Sequence, residues 1–185
     1  MARSKYIQSV LKAAGNKPQS VAWFRNKIKE FGQPKSMDLI RDGKRTSVPT
    51  FGLLNMFVYD PKLKDKLPYY DTFPLVLPIE KYSNGFLGIN LHYLSVPMRI
   101  RLLDRLTETA NNKKFDESTR LNADYSKLKN VNLIKPCLKR YLAGQVKSKF
   151  RKVGADEFII ATLLPVQKFK KQSDNHVFGK SRGMV

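Results

Sequence analysis

The chain has 185 residues, 35 Lys plus Arg against 15 Asp plus Glu, and a formal charge of +20 at neutral pH. That length excludes several large independent domains, and a content of 42% apolar and 11% aromatic residues excludes a basic disordered tail, which lacks the material for a core. One cysteine, Cys137, excludes an intramolecular disulfide and a multi-cysteine metal site.

No apolar run approaches the roughly 18 to 20 residues that cross a bilayer, and Met1 to Lys12 lacks the apolar segment of a signal peptide, so a soluble cytoplasmic product is expected. The charge is polarised along the chain. Residues 1–50 hold eleven Lys or Arg against three acids, a net of +8; residues 51–108 hold seven against six, a net of +1; residues 109–185 hold seventeen against six, a net of +11. A nearly neutral aromatic centre thus separates two basic flanks. Like charges crowded to this degree repel unless something anionic offsets them, and nucleic acid is the usual polyanion of a cytoplasm.

Taken in chain order, Ser4 to Ala14 reads as a short helix on Ile7, Val10 and Leu11, ended by Gly15. A second helix is opened by Pro18 and closed by Gly32, with Val21, Phe24, Ile28 and Phe31 on one stripe and Arg25, Lys27 and Lys29 off it. Gly32 to Thr50 shows no period and reads as a basic loop or arm. Phe51 to Tyr59 has strand character and stops at Asp60-Pro61. Phe73 to Ile79 contains Pro74 and Pro78, neither able to donate to a ladder, so an edge or bent strand is expected. Ser83-Asn84-Gly85 is a turn signal leading into a strand at Phe86 to Leu91.

Pro97 sits at the first turn of a helix running to about Glu108, with Met98, Leu102 and Leu106 on one face and Arg99, Arg101 and Arg105 largely elsewhere. Asn111 to Glu117 reads as a loop, and Ala123 to Val131 suits either helix or strand. Pro136 is expected to open a helix that places Cys137, Leu138, Tyr141, Leu142 and Val146 inside and Lys135, Lys139, Arg140, Lys147 and Lys149 on a cationic stripe. Asp156 and Glu157 suit the first turn of a further helix, and a basic tail spans Lys168 to Arg182. The sum is an α+β protein: a small antiparallel SH3-like β-barrel or curled sheet with peripheral helices. It divides into basic N-terminal helices and arm (1–50), the β core with its following helix (51–108) and a basic helical part (109–185), packed as one domain.

Catalytic signatures are missing. There is no Walker-type loop, no G-x-S-x-G elbow and no H-E-x-x-H, and Gly85-Phe86-Leu87-Gly88 is too short to cradle phosphate. His92 reads as a structural histidine at a strand end, and Cys137 occupies an apolar position, which argues against a nucleophilic pair. Asp60, Asp65, Asp71 and Glu80 alternate with Lys62, Lys64, Lys66 and Lys81, the pattern of salt-bridged loop residues more than of a metal-assisted nuclease.

The runs Asn55-Met56-Phe57-Val58-Tyr59-Asp60-Pro61-Lys62, Leu67-Pro68-Tyr69-Tyr70-Asp71-Thr72-Phe73-Pro74-Leu75-Val76 and Gly85-Phe86-Leu87-Gly88-Ile89-Asn90-Leu91-His92-Tyr93-Leu94 carry a resemblance. The chain, from about Trp23 to Arg182, is similar to a family of small virion proteins of T4-like tailed bacteriophages labelled DNA end protector proteins. Members bind the ends of packaged linear DNA and shield them from host exonuclease. The resemblance implies a non-enzymatic protein with no catalytic residues to carry over, and no cofactor or metal is expected. Asp60, Tyr70, Asp71, Pro74, Asn90, His92 and Tyr93 would be scaffold, with a polar pocket of Asn90, His92 and Tyr93 as the alternative.

Expected partners are double-stranded DNA ends and other phage structural proteins, with no membrane and no small-molecule substrate, in the virion and in the host cytoplasm during infection. The expected phosphate contacts are Lys17, Arg25, Lys27, Lys29, Arg41, Lys44, Arg45, Lys135, Lys139, Arg140, Lys147, Lys149, Arg151, Lys152, Lys170 and Lys171, with Trp23 and Tyr141 as candidate stacking residues. The competing reading is a structural component of the neck, tail or baseplate whose basic flanks dock on acidic proteins.

Overall fold

The computed structural model describes residues 5–15 and 17–185; Ser4, the expected start of the first helix, lies outside them. Helices α1 (Lys5–Ala14) and α2 (Val21–Phe31) follow their apolar stripes, with Ile7 and Val10 fully buried on one and Phe24 and Ile28 buried on the other. Ser20, not Pro18, marks the start of α2: its hydroxyl accepts the Trp23 N–H at 3.1 Å, satisfying one of the orphan donors of the first turn. Gly32, at φ +75°, ends the helix where a side chain would be strained.

The stretch expected as a basic loop or arm instead holds α3 (Ser36–Asp42) and β1 (Lys44–Thr46). Leu39 and Ile40 are buried and anchor α3, although two adjacent apolar residues establish no period. Next come β2 (Leu54–Met56), β3 (Tyr70–Asp71), β4 (Leu75–Tyr82) and β5 (Gly85–Asn90). The helix α4 (Val96–Thr107) follows, then the single turn α5 (Tyr125–Leu128) in the stretch that suited either element. The last elements are β6 (Leu138–Leu142), β7 (Phe150–Val153), α6 (Phe158–Leu163), β8 (Phe169–Lys170) and α7 (Asp174–Arg182).

Six strands form one antiparallel sheet in the order β1-β7-β2-β4-β5-β6, and β3 pairs with β8 in a separate ribbon. The α+β class is as expected. The sheet does not close into a barrel, because β1 and β6 stand at its two edges. It draws strands from all three segments of the chain. The β4–β5 hairpin turns at Ser83-Asn84, as its sequence requires; at Gly85 a Cβ would stand 1.9 Å from the Tyr141 carbonyl oxygen, so only glycine fits there.

Of the edge or bent strand expected at Phe73 to Ile79, the edge is not found and an irregular strand is: β4 is internal in the sheet. It tolerates Pro78 because β2 pairs only with Leu75 and Val76, so the β2 ladder has ended before the proline, and the β5 register shifts between Pro78 and Glu80. The helix expected from Pro136 is absent. Pro136 lies in a 3₁₀ segment (Asn132–Cys137), and the chain then extends as β6 along β5, with Gly85↔Leu142 through Ile89↔Leu138 in register. Lys139 and Tyr141 point to one face of that strand and Leu138 and Arg140 to the other.

Both faces of the sheet are covered. On one, α4 and α2 pack on α6 over Leu54, Leu75, Leu77, Ile89 and Val153, forming the main core. Arg99 of α4, expected away from the apolar face, is fully buried there; its guanidinium donates to the carbonyls of Leu94 (2.7 Å) and His92 (3.3 Å) and to Gln167 Oε1 (2.9 Å). On the other face Phe57, Tyr59, Val76, Phe86, Tyr141 and Phe150 make a second, aromatic core. The chain between β6 and β7 lies across it: the Lys147 N–H donates to the Val58 carbonyl (2.8 Å) and the Val58 N–H to the Ser148 hydroxyl (2.9 Å). The expected basic tail is ordered into β8 and α7, the latter capped by Ser173. Among the described residues no helix is long and apolar enough to cross a membrane.

Candidate nucleic-acid interface

At the β1 edge, antiparallel pairing sets Lys44 directly opposite Lys152. Like charges placed so repel. Acids offset them locally: Lys44 pairs with Glu117 at 3.2 Å, and both lysines border a 300 Å³ cavity shared with Asp156 and Arg120. Further along the same chain Lys147 and Lys149 project from the crossing segment, exposed, alternating with Val146, Ser148 and Phe150, which turn inward or line a neighbouring groove. That groove, about 500 Å³, runs between residues 47–51, the β4–β5 hairpin tip and residues 143–150, and carries exposed Val48, Phe51 and Tyr82 beside Lys81. Arg140 lies 4.1 Å over the Tyr82 ring and is held there by Asn84 Oδ1 and the Tyr141 carbonyl.

The expected cations do not converge on one face. Arg25 and Lys29 are exposed and Lys27 is half-buried on α2, in the helical layer; Lys27 is held by Glu30 at 2.6 Å. Lys139, Arg140, Lys147, Lys149 and Lys152 belong to the strands and the crossing segment, so no helical cationic stripe exists. Lys17, Arg41, Arg45, Lys135 and Lys170 are exposed at separate places on the surface.

Arg151 has to be withdrawn as a phosphate contact. It is fully buried, bonded to both oxygens of Glu157 (3.2 and 3.3 Å), with Gly43 packed on its stem, where a Cβ would come within 2.4 Å of Nε. Lys171 is exposed, yet its ammonium donates to the carbonyls of Lys64, Asp65 and Leu67 (2.7, 2.9 and 2.9 Å) and serves as a loop clamp. Tyr141 is withdrawn as a stacking residue because it lies in the aromatic core, stacked on Phe86 at 5.2 Å. Trp23 is half-buried and packed edge-on against Phe24. Among the exposed rings that sequence reasoning missed are Tyr82 and Phe51 of the groove; for Tyr82 its place beside the Ser83-Asn84 turn, where side chains project, was the available signal.

The motif residues form a sealed network. Asp71 accepts hydrogen bonds from the backbone N–H groups of Phe73 (2.9 Å) and Lys168 (3.0 Å), from Asn90 Nδ2 (3.3 Å) and from His92 Nδ1 (2.9 Å). Burial works to raise the Asp71 pKa, but the His92 ring and these donors outweigh it and hold the carboxyl below its usual range. Burial is also the largest influence on His92 and pushes its pKa down against the pull of Asp71, leaving a neutral imidazole beside a carboxylate. Asn90 and His92 are fully buried, so of the alternative pocket trio only Tyr93 borders a cavity. This network pins β3, the end of β5 and the segment leading into β8. Cys137 is buried with its thiol on the Leu133 carbonyl (3.3 Å), and burial pushes its pKa up to about 12. The acids at 60–80 go to separate partners: Asp60 to Lys64 (3.0 Å), Asp71 to His92, and Glu80 to the Tyr82 hydroxyl (2.9 Å).

These features define a class: a basic α+β protein with its polar network sealed inside and exposed cations spread over loops, strand edges and helices. The chain belongs to the family described as Phage T4 terminal DNA protecting protein, whose model matches residues 3–182. No curated protein and no solved structure matches it.

Proposed function

We propose that this protein is a non-enzymatic virion component that binds the ends of linear double-stranded DNA and shields them from host exonuclease. The observation that carries the reading is the family match over residues 3–182, joined to a charge of +20 that the chain's own acids leave uncompensated. Exposed Lys81 in the lining of an aromatic-edged groove, with exposed Lys147 and Lys149 on the segment beside it, supplies phosphate contacts; Lys44 and Lys152 extend the same side of the sheet, and Arg140 on Tyr82 stands at the hairpin end on the other face of β6. The proposed site of action is the packaged genome and, after injection, its ends in the host cytoplasm, with other phage structural proteins as neighbours in the particle.

Mobility shifts with blunt linear, overhung and circular DNA of equal length, across a salt series, test this. Linear DNA should bind better than circles and should survive exonuclease longer in the protein's presence. With six to ten phosphate contacts, affinity should fall about 10³- to 10⁵-fold between about 50 and 200 mM salt. Circles competing as well as linear fragments refute end recognition, and no binding at low salt hands the cations to acidic protein partners.

A further inference from the structure

A third concavity, about 370 Å³, opens between β6, Tyr93 and the segment 59–71 built by the Leu67-Pro68-Tyr69-Tyr70-Asp71 motif. Its size is at the small end of sites that take small molecules, fit for one nucleotide and too narrow for a duplex. Its lining carries Lys139, Arg140 and Asp71; Arg140 is engaged by the Tyr82 ring, Asn84 and the Tyr141 carbonyl, which leaves Lys139 as the cation for a ligand. The ammonium stands 4.1 Å over the Tyr93 ring and pairs with no carboxylate among the described residues. Burial lowers the Lys139 pKa, the mark of a cation short of counter-charge. Asp71, the acid in the wall, is already committed to His92, Asn90 and two backbone N–H groups.

The opposite wall is rigid. Lys171, at φ +70°, holds three carbonyls of residues 64–67, and Lys64 holds Asp60. Tyr69 and Tyr70 add hydroxyl groups and aromatic faces to the lining. A desolvated ammonium among tyrosines selects an anion attached to a flat ring.

We propose that this cavity receives the 5′-phosphorylated terminal nucleotide of a DNA strand, Lys139 meeting the phosphate and the tyrosines the sugar and base. The proposal rests on the DNA-end reading above and deepens it. An internal phosphate of a stiff duplex is flanked on both sides and cannot enter a recess. A terminal phosphate is free to enter, and as a monoester it carries about −1.5 to −2 at neutral pH. The site would thus distinguish an end by chemistry that no internal position or circle presents.

The test uses the full chain and duplexes closed at one end by a hairpin, the other end bearing either a 5′-phosphate or a 5′-hydroxyl, with a closed circle as competitor. The phosphorylated end should bind about tenfold tighter, the gain of one charge-assisted contact. Lys139→Met keeps the apolar stem and should bring the phosphate-to-hydroxyl ratio close to one; Tyr70→Phe, which removes one hydroxyl, should lower it about threefold. A wild-type ratio of one overturns the proposal outright, as does an unchanged ratio in folded Lys139→Met. Linear DNA outcompeting circles with no phosphate preference sinks this inference alone. Circles competing equally sinks the end-binding reading itself.

Discussion

Removing the charge of Glu157 while keeping its shape, by Glu157→Gln, isolates the buried pair it makes with Arg151. Arg151 is fully buried, its Nε and one terminal nitrogen have no hydrogen-bond partner, and the Glu157 carboxylate is the group that balances it. Stripping one member from such a pair leaves an uncompensated interior charge and costs about 3–5 kcal/mol. For a chain of this size 1 kcal/mol corresponds to roughly 2–4 °C, so the melting temperature should fall by roughly 6–20 °C. Removing both groups, in Arg151→Met with Glu157→Leu, should recover most of that loss, because neither charge then needs a partner; the Gly154 N–H, which donates to Glu157 at 3.2 Å, keeps a cost of about 1 kcal/mol. Urea unfolding with constant slope, followed by circular dichroism, measures both variants and Arg151→Met alone. Additive losses, with the double variant worse than either single one, refute the reasoning. The double variant also carries a functional readout: its DNA affinity should keep the wild-type salt slope, and a slope reduced by about one would return Arg151 to the interface.

Acid should destabilise the fold in two stages. The His92 pKa is depressed below 6.5, so the unfolded chain takes up a proton that the folded one refuses. Stability is intact above that pH and declines as pH falls through it, by up to about 1.4 kcal/mol per unit. The depressed Asp71 pKa contributes stability above 3.8 that is lost below it. Urea midpoints flat between about pH 7 and 5 would contradict the neutral buried imidazole. Cys137, with its thiol pKa near 12, should resist alkylation in the native protein and react on unfolding; fast native labelling would place it at the surface. Lys147→Glu with Lys149→Glu should leave melting within about 0.5 kcal/mol of wild type and lower the salt slope of DNA binding by about 1.8, and an unchanged slope would move the interface elsewhere.

The chain up to α4 was legible where one period or turn signal dominated. Phe24 and Ile28 on α2, Leu102 and Leu106 on α4, and the Ser83-Asn84-Gly85 turn each left a single reading that the fold follows. Residues 135–150 misled because Cys137, Leu138, Tyr141, Leu142 and Val146 satisfy helical spacing, while along β6 Leu138, Lys139 and Leu142 are all half-buried and leave no clean alternation. The deciding partner, β5, lies about fifty residues upstream, out of reach of any local window. The same distance problem hides the site. Nothing in Lys149-Phe150-Arg151-Lys152 tells a surface lysine from a core arginine until Glu157 and Gly43 are placed around it. The Tyr69-Tyr70 motif and Lys139, some seventy residues apart, meet only through the sheet.

The position of β7 in the sheet has a consequence for synthesis. It is the wedge between β1 and β2, yet it is translated after every strand of the sheet it completes. A nascent chain on the ribosome therefore holds β1 and β2 apart and unpaired along those edges until residue 153 has left the exit tunnel, and loop closure over more than a hundred residues joins Arg45 to Arg151. Products of premature termination before that point lack the strand that unites the sheet, and their open edges make them substrates for proteolysis, not for assembly into a particle.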